Sequence, residues 1–206
     1  MTHKERKLDS LIYQIPFLKR FKGERSYVSG ADVTLGILMF LSFRYGSDAT
    51  LSAVKLRSFS RHELVILTGD FESSDDIVAT FKYDYQGSVM PGYLVSPKKE
   101  VIQRISFDES LVAGDTMSYK DRLISHKVSV FGFIEDVVIL TKRLHNKLFP
   151  ESEKWILSQL DFAEQVPDDY IDIEIKIIHN IKNKFTVSNI IVNGDFVGKI
   201  GFTELK

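Results

Sequence analysis

Apolar and polar positions along the first half of the chain predict helices. Residues 29–32 (Ser-Gly-Ala-Asp) are typical of a helix start, and the stretch from Val33 to Tyr45 is almost entirely apolar up to Gly46. Its length favours a buried helix over a strand, although its aromatic residues are compatible with either. Two shorter amphipathic helices are predicted after it, over residues 49–57 and 61–67.

After residue 76 the pattern of apolar and polar residues changes from helical to strand-like. Residues 77–85 alternate between apolar and polar in their second half, which predicts a strand, and residues 93–95 supply a partner strand. Pro97 is suited to the first turn of a helix, predicted over residues 98–105.

The longest periodic segment runs from Ser118 to Phe149 and predicts a central, buried helix. An alternative interpretation makes residues 126–133 a strand, because Val128, Val130 and Gly132 alternate. Pro150 ends the helix, and residues 151–160 then predict a short helix anchored by Trp155.

The C-terminal region alternates strictly and predicts strands over residues 170–177, 185–192 and 196–202. Asn193-Gly194 lies between the last two strands and is typical of a type I′ turn, which requires positive φ at both positions. The chain is therefore expected to end in an antiparallel meander.

The N-terminal segment, residues 1–26, has seven basic and three acidic residues and an amphipathic pattern interrupted by Pro16. Its large apolar side chains need burial, in the protein's own core or against a partner or second copy of the chain. We predict a partner-binding arm with these contact residues: Leu8, Leu11, Ile12, Phe17 and Phe21.

These elements predict an α+β fold with central helices, an antiparallel sheet and a C-terminal meander. The predicted organisation is an arm over residues 1–26, a mostly helical body with a β wing over 27–160 and the meander over 161–206. The three parts are expected to form one unit.

Composition narrows the class of protein. The 206 residues include 27 Lys+Arg, 28 Asp+Glu and no cysteine, which excludes disulfides, cysteine-liganded metals and cysteine nucleophiles. No secretory signal pattern is visible, and the longest uncharged apolar run, residues 33–43, is too short to cross a bilayer. A cytoplasmic, soluble protein without a membrane partner is expected.

The order of elements over residues 29–105 resembles that of winged-helix DNA-binding domains, in which the third helix enters the major groove. The resemblance implies contacts to DNA from Lys55, Arg57, Arg61 and His62, although the acidic residues at 70–76 would oppose them. We therefore predict a non-enzymatic DNA-binding regulator. A protein-interaction or assembly module, such as a viral structural protein, is the alternative.

Catalytic patterns are weak. Glu174 and Lys176 lie on a predicted strand, with aspartates at 168, 169 and 172 before them, in a loose likeness of a metal-dependent nuclease site. Their alternation is that of a solvated strand face. The five histidines lack metal-binding spacing and glycine-rich phosphate loops are absent. No catalytic residue, metal or cofactor is predicted, and the nuclease is kept as a further alternative.

Overall fold

A computed structural model describes residues 15–69, 76–112, 116–125, 131–152, 154–167 and 169–205, apart from the side chains of residues 16 and 17. Within these residues the chain forms two α-helices, α1 (Gly30–Tyr45) and α2 (Phe133–Leu148). The strands are β1 (Arg20–Lys22), β2 (Ala49–Leu56), β3 (Val65–Thr68), β4 (Ile77–Tyr85), β5 (Ser88–Val95), β6 (Gln103–Ile105), β7 (Thr116–Tyr119), β8 (Arg122–Ser125), β9 (Lys154–Phe162), β10 (Ile173–Ile181), β11 (Phe185–Val192) and β12 (Asp195–Leu205).

Ten of the strands form one antiparallel sheet in the order β3-β5-β4-β2-β9-β12-β11-β10-β8-β7. The strand that follows each helix lies near the middle of this sheet. Strand β2 follows α1 and strand β9 follows α2, and the two strands pair with Val54 opposite Leu160. The remaining pair, β1 and β6, is a separate parallel ladder. The chain thus consists of two helix-and-sheet halves joined along the β2–β9 seam.

Helices α1 and α2 contact each other and both contact β9, so the core lies between the helices and the sheet. Gly30 brings the first turn of α1 directly onto the seam. A Cβ added there would lie 2.7 Å from Leu56 and 2.9 Å from Leu157. The start of α1 therefore sits where the two halves meet.

The winged-helix prediction for residues 29–105 is wrong. Its first helix exists as α1, which Ser29 caps by accepting a hydrogen bond from the Asp32 amide. The second predicted helix is strand β2, and the third is an irregular segment followed by β3. Residues 98–105 are not helical either: Lys98 has φ of 58°, and β6 pairs with β1.

Bulges explain why two strands resemble helices in sequence. In β2 the pairing register shifts between Leu51 and Ala53, so Leu51 and Val54 both point to the buried side. In β9, predicted as helix 151–160, the register shifts beside Ser158, and Leu157 and Leu160 are both buried. A bulge converts the two-residue period of a strand into a three-residue spacing, which is also that of a helix face.

The long helix predicted over residues 118–149 is shorter than expected. Among the described residues of this segment only those of α2 are helical, while β7 and β8 form a hairpin before it. The rival strand at 126–133 falls mostly on residues outside the described ranges.

The C-terminal meander is confirmed. Strand β11 has the predicted bounds, and the turn between β11 and β12 has φ of 52° at Asn193 and 90° at Gly194. Strand β9 runs across the predicted limit at 160/161 and pairs with β12, so the meander is continuous with the rest of the sheet.

Candidate functional site

A buried cluster of charged side chains joins the first turns of the two helices. The ammonium group of Lys22, at the end of β1, lies 3.1 Å from the Asp32 carboxylate of α1 and also contacts the Glu135 carboxylate of α2. All three residues are buried. Buried charges are tolerated only when they are paired, so this contact ties β1 to both helices.

Local sequence places the two carboxylates. Asp32 is held in the first turn of α1 because its Oδ2 accepts a hydrogen bond from the Ser29 hydroxyl, which also caps the helix. Arg20 adds a second cation 3.6 Å from Asp32. Glu135 lies in the first turn of α2, and the partial positive charge of a helix N-terminus stabilises acidic groups there.

Glu135 differs from Asp32 because it also lines a cleft. Burial raises the pKa of the Glu135 carboxyl above the usual range for glutamate, although the Lys22 ammonium opposes the rise. A buried carboxyl with a raised pKa and access to a cleft is a candidate for proton transfer.

The cleft has a volume of about 270 Å³ and lies between the start of α1, one side of α2 and strand β9. Its wall combines apolar and aromatic side chains with Glu135 and three cationic side chains. The wall includes Tyr27, Phe59, Val138, Trp155, Leu157 and Phe202, and the cations are Arg25, Lys142 and Lys154.

Glu109 neutralises two of these cations. Its carboxylate oxygens lie 2.7 and 2.8 Å from the Lys142 ammonium group, and one of them contacts the Arg25 guanidinium. Arg143 fixes the turn that carries Glu109, since its guanidinium donates to the Glu109 carbonyl at 3.1 Å. The third cation, Lys154, lies over the Tyr27 ring, 4.8 Å from the centroid.

The four residues predicted to contact DNA do not lie on a recognition helix. Lys55 and Arg57 are exposed, on and just after β2, and share a shallow groove with Lys82 of β4. Arg61 and His62 belong to a separate depression in the segment before β3. The structure thus divides the four residues between two surfaces.

The predicted partner-binding residues are only partly described. Leu8, Leu11 and Ile12, and the side chain of Phe17, lie outside the described part of the chain. Phe21 is half-buried, with the Arg104 guanidinium 5.4 Å from its ring centroid. The neighbouring Leu18 is fully buried, so this end of the arm packs onto the body.

Of the nuclease-like residues, Asp168 lies outside the described part of the chain, and the others do not belong to a group that could hold a metal ion. Glu174 is 3.4 Å from the Arg122 guanidinium, as expected for a paired strand face. Within the described ranges no group of three or more His, Asp or Glu side chains could hold a metal ion. None of the described helices is long and apolar enough to span a membrane.

Sequence reasoning missed Lys22, Asp32 and Glu135 as a site. In the sequence, Asp32 indicates only a helix start, and Glu135 lies within a long, mostly apolar periodic segment. The available signal was the acidic pair Glu135-Asp136, which interrupts an otherwise apolar stretch.

Comparison with known proteins finds similar folds but no similar sequences. No protein-family model matches the chain, and a search of curated proteins finds no similar sequence. Among solved structures, a pyran synthase domain from module nine of the sorangicin pathway aligns with a TM-score of 0.54 and 10% identity, over 95% of this chain and 92% of that one.

Two further structures align less closely. The dehydratase domain of PpsC from Mycobacterium tuberculosis, solved with C12:1-CoA, has a TM-score of 0.49 and 8% identity over 87% of this chain and 85% of that one. The erythromycin dehydratase has a TM-score of 0.47 and 10% identity over 92% of this chain and 85% of that one. The pyran synthase domain, whose TM-score is above 0.5, shows that this chain has a hotdog-like α+β fold and not a winged helix.

Proposed function

We propose that this protein is an enzyme that transfers a proton to or from a small organic substrate bound in the cleft, with Glu135 as the proton-carrying group. The observation that carries the proposal is the position of Glu135: a buried carboxyl with a raised pKa that lines a cleft. The prediction of a DNA-binding regulator is wrong, because it depended on a winged helix whose second helix is strand β2.

Neighbouring residues support this role. Lys22 contacts the Glu135 carboxylate from the buried side, which limits the rise of its pKa and fixes the side chain. Val138, Trp155 and Leu157 form an apolar part of the wall, and proton transfer is most effective from a group held in a fixed position. The hotdog-like fold is compatible with the proposal, since the aligned pyran synthase domain is by its name an enzyme domain.

Deuterium uptake tests the proposal without knowledge of the natural substrate. The purified protein is incubated in D₂O with a panel of small 3-hydroxy acids and α,β-unsaturated acids, and mass spectrometry follows deuterium incorporation and the gain or loss of water. We expect uptake with at least one member of the panel and a fall of about 10²–10⁴-fold in Glu135→Gln.

The control is Glu174→Gln, which removes a carboxyl from strand β10 and should exchange like the original protein. Melting curves establish that each variant is folded. No exchange with any member of the panel, or exchange that persists in folded Glu135→Gln, would contradict the proposal.

A further inference from the structure

The cations of the cleft carry a second inference, which concerns the class of ligand. Arg25 and Lys142 both line the cleft and both bind the Glu109 carboxylate, which is not part of the lining. Their side chains are about four-fifths and three-quarters buried, with exposed fractions of 19% and 26%, whereas that of Glu109 is 40% exposed. The carboxylate therefore approaches the two cations from a more solvated side.

We infer that the ligand of the cleft is an amphiphilic anion, whose negatively charged group binds Arg25 and Lys142 in place of the Glu109 carboxylate. The inference rests on the proposed function for the location of the site, but it concerns binding alone. Glu109 then acts as an internal counter-ion that holds the two cations ready and competes with the ligand.

Charge and burial both favour an anion. Three cations line the cleft, while its one acidic lining residue, Glu135, already contacts Lys22. Lys154, at the start of β9, is a further cation of the lining. The first turn of α1, through Gly30 and Ala31, also borders the cleft, and the N-terminus of a helix favours negative charge.

The rest of the lining favours an apolar body. Trp155 is buried and stacks against His145 of α2, with ring centroids 4.3 Å apart, so its indole forms a rigid part of the wall. Val138, Leu157 and Phe202 complete this side. Transfer of a hydrocarbon chain or ring from water to such a surface makes the binding free energy more favourable, whereas a purely ionic ligand has no apolar surface to bury there.

The fluorescence of Trp155 can report ligand binding, because Trp155 is the single tryptophan of the chain and lines the cleft. The probes are octanoate and 1-octanol, which share a chain length and differ in charge. Titration of each into the full-length protein at low salt is followed by Trp155 emission. We expect a saturable change with octanoate and at least tenfold weaker binding of 1-octanol, because a charge-assisted contact is lost.

Variants identify the groups that bind the anion. Arg25→Gln and Lys142→Gln should each weaken octanoate binding by about tenfold and leave 1-octanol binding unchanged. Arg25→Lys keeps the charge and should lose less. The matched control is Lys199→Gln on the exposed side of β12, which should bind octanoate like the original protein.

Glu109→Gln separates a competitor from a positioning residue. If Glu109 competes with the ligand, its removal should tighten octanoate binding several-fold; weaker binding would overturn the counter-ion role. Equal binding of octanoate and 1-octanol, or no effect of Arg25→Gln and Lys142→Gln in folded proteins, would overturn the anion site.

The same titration in Glu135→Gln distinguishes the two proposals. Octanoate should still bind to that variant, because Glu135 is not part of the anion-binding pair. Loss of deuterium exchange with intact octanoate binding supports both proposals. Intact binding without any exchange in the original protein supports the anion site and contradicts proton transfer.

Discussion

At the scale of single residues, burial decides the charge of His145. His145 lies at the C-terminal end of α2, where the helix dipole alone would favour a protonated ring. The ring is instead fully buried, its Nε2 lies 2.7 Å from the Thr186 hydroxyl, and burial lowers its pKa to about 4. His145 is therefore a neutral core residue.

The stability of the protein should reflect this pKa. The histidine has a pKa of about 6.5 in the unfolded chain and of about 4 in the folded protein. Between these pH values the unfolded chain therefore binds a proton and the folded protein does not. The contribution of His145 is unaffected above about pH 6.5 and is lost as the pH falls, by on the order of 3 kcal/mol at pH 4.

Urea denaturation at pH 7 and pH 4.5 measures the effect. His145→Gln should lose less stability between the two values than the original protein, although it starts from a lower value because the Thr186 contact changes. His179→Gln, at an exposed position, serves as the control and should keep the original pH dependence. Identical pH dependence in all three proteins would show that His145 does not titrate as described.

At the scale of elements, turns follow local sequence while strand periodicity is altered by neighbours. Asn193-Gly194 forms the predicted turn because both residues tolerate positive φ. The Asn193 side chain also accepts a hydrogen bond from the Ile171 amide at 2.9 Å, which ties the turn to the segment before β10. In contrast, the bulges in β2 and β9 depend on their partner strands.

Gly194→Val tests the turn. Valine is strained at the φ of 90° found there, so we expect the free energy of unfolding to fall by about 1–2 kcal/mol. Thermal melting compares this variant with Lys199→Val, which places the same side chain in the extended backbone of β12. An equal effect of the two substitutions would contradict the positive φ as the cause.

At the scale of the whole molecule, the end of the N-terminal arm is part of the body. Leu18 is fully buried, and a Cβ added to Gly36 of α1 would lie 2.9 Å from it, so the two fit closely. Lys22 neutralises carboxylates from both helices. The prediction that Leu8, Leu11 and Ile12 bind a partner concerns residues outside the described ranges and stays a prediction.

Removal of residues 1–23 should therefore prevent folding, since it deletes Leu18 and leaves Asp32 and Glu135 buried without Lys22. We expect no cooperative transition by circular dichroism. Leu18→Ala is the graded version, with an expected loss of about 2–5 kcal/mol in the full-length chain. A truncated protein that melts like the full-length one would contradict this contribution of the arm to folding.

The sequence by itself determined the features that depend on neighbouring residues: the buried helix α1 with its Ser29 cap, the alternation of β11 and the turn at Asn193-Gly194. These follow from backbone preferences and local periodicity, which a few residues specify.

Only the tertiary structure decided the rest. Leu51 and Val54 have helical spacing, yet hydrogen bonds to β4 and β9 make them part of a bulged strand. The site has the same origin: Lys22 and Glu135 are 113 positions apart, and no local pattern pairs them. Burial and charge pairing act between residues brought together by folding, which is why the sequence predicted the turn but not the site.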